Sequence, residues 1–318
     1  MGTPVSLSAP LGLPPVPVAP DNPPTRETID LGRQLFFSPI LSADRSLSCA
    51  TCHDPGKGFA ESHQVSTGIH GGKGTRNAPT LLNAVYSKAQ FWDGRAATLV
   101  EQVSGPMLNS IEMGNTLEGV ERAVAADPDL VRAIEKAYGP GKPTMEKITK
   151  AIAAFECTLV SGNSPFDRFF YGGDKSAMSE AAQRGLEVFR NPAKGNCAAC
   201  HTIGANYAVF TDHLFHNLGA GMDSQGEIAD PGRFKITGRE QDRGAFKTPT
   251  LRNVALTAPY MHDGSLRSLK EVVDFYVGGG SSNPHLDPLI KPLTHLTKQE
   301  RADLVAFLVS LTGEMPKQ

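Results

Sequence analysis

The amino-acid sequence predicts a mainly α-helical protein of two related domains, with long loops and little β structure. The main observation is an internal repeat with a constant spacing of 170 residues, the difference between positions 249 and 79. Segment 79–83 reads Pro-Thr-Leu-Leu-Asn, and segment 249–253 reads Pro-Thr-Leu-Arg-Asn. Later pairs keep this spacing: Asp93-Gly94 with Asp263-Gly264, Leu99 with Leu269, Glu101 with Glu271, and Val103 with Val273. A repeat that keeps its spacing without a gap indicates duplicated structural units.

Helical patterns begin and close each half of the chain. Segments 31–37 and 184–189 each read as a short amphipathic helix with a glycine that permits close approach of another helix. Segments 151–159 and 302–311 share a Phe-x-x-x-Leu pattern and are predicted to be the closing helices.

Capping residues and composition suggest where the last helix and the domains begin and end. Thr297 and Glu300 have the spacing of a capping box, and Gly313 is expected to end the helix that follows. The stretch 161–174 is rich in Gly and Ser, so the domain boundary is expected there. We predict an extended Pro-rich leader over 1–24, an N-terminal domain over 25–165 and a C-terminal domain over 166–318.

Four of the five cysteines fall in two Cys-x-x-Cys-His motifs, at Cys49, Cys52 and His53, and at Cys197, Cys200 and His201. Two thiols at this spacing reach the two vinyl groups of a haem, and the adjacent histidine coordinates its iron. A thioredoxin-like pair needs no trailing histidine, and a zinc site built from both pairs would leave the histidines superfluous. The sequence therefore predicts two c-type cytochrome domains, each with one covalent haem.

The repeat also shows that the two halves are not equivalent, because Pro106 corresponds to Tyr276. Proline cannot ligate iron, whereas tyrosine can do so through its phenolate. If these positions lie above the two haems, the first iron is open to small molecules and the second is closed. Gln102 and Glu112 lie near Pro106 in sequence, and a carboxylate there could shuttle protons during O–O cleavage. A solvated loop acid is the alternative interpretation of Glu112.

Three strings carry a resemblance to a known family: 76–80 (Arg-Asn-Ala-Pro-Thr), 90–95 (Gln-Phe-Trp-Asp-Gly-Arg) followed by Glu112-Met113, and 258–264 (Ala-Pro-Tyr-Met-His-Asp-Gly). Together they closely resemble bacterial dihaem cytochrome c peroxidases and their relative MauG. The resemblance runs from about Pro24 to Met315.

The resemblance implies roles for particular residues. Glu112 matches the distal acid/base, and Gln102 and Pro106 match its pocket companions. Trp92 matches a tryptophan between the haems that relays electrons or holes. Three further residues match a Ca²⁺ site between the domains, with oxygen ligands of the kind that Ca²⁺ prefers: Asn77 through its side chain, and Thr257 and Pro259 through their carbonyls.

At Tyr276 the sequence departs from the typical cytochrome c peroxidases, and this residue favours the MauG-like branch of the family. Typical cytochrome c peroxidases have Met at the matching position, whereas MauG has Tyr. An anionic oxygen ligand favours higher oxidation states of iron and lowers its reduction potential. Met261 and Met222 are the competing candidates for this ligand. His70 matches, at a spacing one residue shorter, a histidine that caps the first haem in many resting peroxidases; a surface position is the alternative.

Three functions are consistent with the sequence. The favoured one is a MauG-like enzyme that cleaves hydrogen peroxide at the N-terminal haem, forms a high-valent state shared by both haems, and oxidises Trp or Tyr side chains of a partner protein. The second is a cytochrome c peroxidase that reduces peroxide with electrons from a small cytochrome or cupredoxin. The third is a dihaem electron carrier without enzymatic activity.

Composition limits the partners and the location. The 318 residues carry a net charge of −2 and 40% hydrophobic residues, which gives no reason to expect nucleic acid as a partner. No apolar run approaches the length of a membrane span. Because c-type haem is normally attached outside the cytoplasm, we expect a bacterial periplasmic protein whose export signal is absent from this sequence.

Overall fold

A computed structural model describes residues 2–316 of the chain. The helices are α1 (Arg26–Phe37), α2 (Cys49–Cys52), α3 (Leu99–Leu108), α4 (Leu117–Ala125), α5 (Pro128–Tyr138), α6 (Met145–Glu156), α7 (Pro165–Phe170), α8 (Glu180–Arg190), α9 (Phe234–Thr237), α10 (Leu269–Gly278) and α11 (Lys298–Val309). Strands β1 (Phe215–His216) and β2 (Phe246–Lys247) form an antiparallel pair, with Phe215 opposite Lys247. The mainly helical fold with little β structure is confirmed.

Each half has its own hydrophobic core, built where its first long helix crosses its last. In the N-terminal half, Leu31, Leu35 and Phe36 of α1 are completely buried and pack with residues of α6 such as Phe155. A Cβ on Gly32 would collide with the carbonyl of Ala151. Glycine is therefore required for α1 and α6 to approach this closely.

The C-terminal half repeats this crossing with α8 and α11. Phe189 and Phe307 pack with their ring centroids 4.8 Å apart. Gly185 lies so close to α11 that a Cβ there would meet the carbonyl of Asp303. The predicted glycine contact is thus present in both halves.

The 170-residue repeat is also present in the backbone conformation. Helices α3 and α10 begin and end at positions that differ by that spacing. Asn83 and Asn253 both adopt left-handed conformations, with φ of 64° and 60°. Phe91 and Met261 do the same, with φ of 65° and 71°.

Several predicted helix ends were misplaced. The final helix starts with the expected capping box of Thr297 and Glu300, but it ends at Val309 with Ser310 as its cap, well before Gly313. Helix α6 ends at Glu156, so Cys157 caps that helix and does not lie inside it. Hydrophobic periodicity locates a helix better than it locates the last turn.

The Pro-rich segment before α1 packs against the rest of the protein. Leu13 and Val16 are buried in a small cluster with Tyr86 of the N-terminal half. The carbonyl of Gly12 accepts a hydrogen bond from the Arg252 side chain in the C-terminal half. No helix among residues 2–316 combines the length and apolarity needed to cross a membrane.

Candidate active site

The first haem motif lies at a cavity of about 610 Å³ in the N-terminal half. This first cavity is lined by Cys49, Cys52 and His53 on α2 and its C-terminal cap. The predicted residues Gln102, Pro106 and Glu112 also line it. The structure therefore brings the haem motif and its predicted partners to one cavity of a size typical for cofactor sites.

The two motif histidines are held in the same way. The Nδ1–H of His53 donates to the carbonyl of Phe59 at 3.2 Å, and that of His201 donates to the carbonyl of Phe210 at 2.9 Å. Burial lowers the pKa of both histidines. A neutral imidazole whose Nδ1–H is engaged keeps Nε2 available for a metal, which is how ligating histidines are usually oriented. Both sites thus fit an iron ligated through Nε2.

Helix α3 and the loop after it supply the other polar groups of the first cavity. Gln102 and Pro106 are one turn apart on α3, and Pro106 offers the cavity no donor atom. The Glu112 carboxylate is half-buried and accepts a hydrogen bond from Asn109 Nδ2 at 2.8 Å, while its carbonyl accepts from the N–H of Ile69. Burial raises the pKa of Glu112. Glu112 is therefore not the solvated loop acid of the alternative interpretation.

The second haem motif lies at a separate cavity of about 450 Å³. This second cavity is lined by Cys197, Cys200 and His201, and by Tyr276 of α10 and Met261. Burial, together with the nearby Cys197 and Cys200, raises the pKa of Tyr276. Because the lining includes both Tyr276 and Met261, both remain candidates for the iron ligand.

Two of the other candidate ligands lie away from the cavities. Met222 does not line the second cavity. His70 is exposed and does not line the first cavity. In this conformation His70 has the surface position that was the alternative to a haem cap.

Trp92 lies between the two sites and lines both cavities. Its indole Nε1–H donates to the carbonyl of Asn77 at 2.8 Å, and its own carbonyl accepts from the N–H of Lys247 at 2.8 Å. Hydrogen bonds thus fix both the side chain and the backbone of Trp92 at the junction of the two halves.

The three predicted calcium ligands also come to the junction and line the second cavity: Asn77, Thr257 and Pro259. Asn77 donates through Nδ2 to the carbonyl of His63 at 2.9 Å, so its Oδ1 is left to accept. Within residues 2–316, no protein group donates to this Oδ1 or to the carbonyls of Thr257 and Pro259. Three oxygens without donors are compatible with a hard cation.

The sequence did not predict the ion pairs that join the halves beside the first cavity. Arg76 Nη1 lies 2.6 Å from Asp93, and its Nε lies 2.6 Å from Asp230 of the C-terminal half. Burial alone would raise the pKa of Asp230, but the hydrogen bonds from Arg76 lower it to about 2. Arg76 was visible in a family string, whereas Asp230 lies in a loop without a recognisable motif.

Cys200, Asp212 and His216 place possible ligand atoms within 4.8 Å of one another. His216 is clamped between Asp212 at 2.9 Å and Asp287 at 2.6 Å, and its hydrogen bonds to Cys200 and both carboxylates raise its pKa to about 10. An imidazolium cannot ligate a metal, and haem attachment turns Cys200 into a thioether. This cluster therefore gives no support to the zinc alternative.

Comparison with known proteins covers both halves of the chain. Residues 26–176 match the family described as di-haem cytochrome c peroxidase, and residues 182–312 match cytochrome c. The methylamine utilization protein MauG of Methylorubrum extorquens is 40% identical, over 94% of this chain and 82% of that protein. The cytochrome c551 peroxidase of Pseudomonas aeruginosa is also 40% identical, over 93% of this chain and 81% of that protein.

Solved structures agree with these matches. A MauG-like protein associated with microbial copper homeostasis has a TM-score of 0.85 at 34% identity, and the match covers 96% of this chain and 95% of that chain. The predicted c-type cytochrome architecture and the assignment to the haem peroxidases are confirmed, and the two cytochrome c units imply two c-type haems. The chain belongs to the di-haem cytochrome c peroxidase family, which includes MauG.

Proposed function

We propose that this protein activates hydrogen peroxide at the first haem site and uses the oxidising equivalents to oxidise Trp or Tyr side chains of a partner protein. The observation that carries this proposal is Tyr276, which occupies the lining of the second cavity where Pro106 occupies the first. A tyrosinate ligand would favour oxidised iron at the second site. A site of that kind stores oxidising equivalents better than it accepts electrons from an ordinary cytochrome.

The first cavity would hold its haem through Cys49, Cys52 and His53, and the haem iron would supply the electrons that cleave the O–O bond. Glu112 would accept a proton from peroxide and return it to the departing oxygen. Asn109, at 2.8 Å, orients the carboxylate for this transfer. Burial brings the pKa of Glu112 closer to neutral pH, where a group can both accept and release a proton.

Pro106 and Trp92 would contribute to the different roles of the two haem sites. Pro106 offers the first cavity no side-chain donor, so it would not compete with peroxide for the haem held there. Trp92 is fixed between the cavities by hydrogen bonds to Asn77 and Lys247, and it would carry charge between the two haems. Asn77, Thr257 and Pro259 would bind Ca²⁺ at the same junction and keep it rigid.

A cytochrome c peroxidase activity is the second candidate. The cytochrome c551 peroxidase of Pseudomonas aeruginosa is as similar to this chain as MauG is. In that case a small cytochrome or cupredoxin would deliver electrons to the second haem. Pro106 and Glu112 favour both enzymatic candidates over a pure electron carrier. Covalent haem attachment supports a periplasmic location for either enzyme.

The test is to mix the oxidised holoprotein with stoichiometric hydrogen peroxide, with and without reduced cytochrome c, and to follow both haem spectra. The proposal expects a long-lived oxidised state and slow turnover of the cytochrome. In Tyr276→Met, which carries the thioether typical of the peroxidases, turnover should rise. Rapid cytochrome oxidation by the unmodified protein would instead establish the second candidate.

A further inference from the structure

Lys247 lies in the wall between the two cavities and has no part in the proton transfer described above. Among residues 2–316 it is the only charged residue that lines both cavities. Its backbone N–H donates to the carbonyl of Trp92 at 2.8 Å. Its ammonium Nζ crosses to the N-terminal half and donates to Ser87 Oγ at 2.6 Å.

This ammonium has no counter-ion in the protein. No carboxylate among residues 2–316 lies within 4.0 Å of Nζ. By contrast, the half-buried Arg76 in the wall of the first cavity is paired with both Asp93 and Asp230. An enclosed charge without a partner is costly, so a missing anion is expected beside it. In agreement, burial lowers the pKa of Lys247 to about 8.

His213 supplies an independent indication of an anion at the same place. Its side chain lines the first cavity, and its Nδ1 is buried without a hydrogen-bond partner among residues 2–316. Burial lowers the pKa of His213, and the charges of Lys88 and Lys247 lower it further. A neutral imidazole beside a lysine ammonium can donate Nδ1–H to a shared acceptor.

We propose that Lys247 and His213 form an anion site that binds a propionate carboxylate of the first haem. The site belongs to the first haem because Ser87 and His213 line only the first cavity. The ammonium supplies the charge and His213 supplies a second donor. The proposed anion site lies next to Trp92, because the backbone N–H of Lys247 donates to the Trp92 carbonyl.

The Lys247 ammonium would compensate the charge of the propionate, so its removal should change the reduction potential of the first haem. A propionate that loses its cation stabilises ferric iron, so the reduction potential of the first haem falls. A unit charge about 10 Å from the iron, at an effective dielectric constant of about 20, changes the equilibrium constant for reduction roughly tenfold. For a one-electron couple this is about 59 mV.

The experiment is a spectroelectrochemical titration of holoprotein variants that carry both haems. Lys247→Met should lower the reduction potential of the first haem by about 59 mV. In Lys247→Arg, which keeps the positive charge, this potential should stay close to that of the unmodified protein. Lys142→Met removes an exposed lysine that lines neither cavity, and it should have no effect. Equal potentials in Lys247→Met and Lys142→Met would overturn the proposal.

Two further variants separate anion binding from a simple contact between domains. Ser87→Ala removes the contact with Nζ but keeps the ammonium, so the potential should not change; a shift as large as that of Lys247→Met would refute the anion site. His213→Leu should alter the propionate bending modes in the resonance Raman spectrum. If Lys247→Met does not retain haem, His213→Leu provides the test, and unchanged propionate bending modes in that variant would refute the anion site. Neither measurement uses peroxide, so each is independent of the proposed function.

Discussion

Two glutamates line the first cavity, Glu112 and Glu156, and their surroundings differ. Glu112 is half-buried and hydrogen-bonded to Asn109, which keeps its carboxylate accessible from the cavity. Glu156 at the end of α6 is only 4% exposed, and its Oε2 has no partner among residues 2–316. Burial raises the pKa of Glu156 to about 8. The first group is suited to proton exchange with a ligand, whereas the second is a neutral acid of the cavity wall.

Glu112→Gln should slow the reaction of the oxidised protein with peroxide by about 10²- to 10⁴-fold, because the amide cannot take up the proton. Both haems should remain attached, since Glu112 makes no contribution to the Cys-x-x-Cys-His motifs. Stopped-flow absorbance at several peroxide concentrations measures this rate. A rate equal to that of the unmodified protein would remove Glu112 from the proton path.

Glu156→Gln should change how stability depends on pH. The folded pKa of about 8 exceeds the ordinary glutamate value of 4.5, so the folded state holds a proton that the unfolded state releases. The free energy of unfolding therefore falls as pH rises from about 4.5 through 8. Glutamine removes this loss, and the variant should be more stable than the parent by a few kcal/mol at pH 9 but not at pH 4.

Chemical unfolding of the holoprotein at several pH values measures this difference. Glu135→Gln, an exposed substitution in the same half, serves as the control. A stability difference for Glu156→Gln that is constant from pH 4 to pH 9 would contradict an acid of raised pKa at this position.

At the scale of elements, the fold depends on two close helix crossings. Helices α1 and α6 meet at Gly32, and α8 and α11 meet at Gly185. These crossings position the cores on which the haem motifs rest. The uninterrupted repeat predicted that the segments of α3 and α10 correspond to each other, and the capping box predicted the start of α11. It did not locate the end of α11, because the hydrophobic pattern continues past Val309 to Leu311.

Gly185→Ala should destabilise the C-terminal half, because its Cβ would meet the backbone carbonyl of Asp303. Overpacking of this kind costs about 1–3 kcal/mol. Gly278→Ala is the matched control, since a Cβ at the end of α10 would meet no atom within 4 Å. Thermal unfolding of both holoproteins compares them. Equal melting temperatures would show that α8 and α11 can separate without loss of stability.

At the scale of the whole molecule, charged side chains join parts that are distant in sequence. Arg76 links the two halves through Asp93 and Asp230. Arg252 is buried, pairs with Asp167 at 2.8 Å, and also donates to the carbonyls of Gly12 and Ala208. The Pro-rich segment is thereby fixed to the C-terminal half.

These long-range partners show why part of the site could not be predicted from the sequence. Trp92, Glu112 and Tyr276 stand in repeated or recognisable strings. Asp230 and Lys247 lie in a stretch of the second half that the repeat does not cover, so no pattern indicates their partners. The packing of the Pro-rich segment was not predictable for a similar reason, because prolines without periodicity do not indicate a buried face.

Arg252→Met should lower the free energy of unfolding by about 3–5 kcal/mol, because it leaves the buried Asp167 carboxylate without its cation. Denaturant unfolding of the holoprotein measures the loss. Arg132→Met, at an exposed ion pair with Asp129, is the control and should change stability little. A loss for Arg252→Met no larger than for this control would contradict a structural role for the buried pair.

We propose that one haem iron is open and that Tyr276 closes the other. Electron paramagnetic resonance of the oxidised holoprotein distinguishes these two ligand states. We expect one high-spin signal from the haem held by His53 and one low-spin signal from the haem held by His201, with the low-spin signal converted to high spin in Tyr276→Phe. Two low-spin signals, or a spectrum unchanged by Tyr276→Phe, would contradict this account.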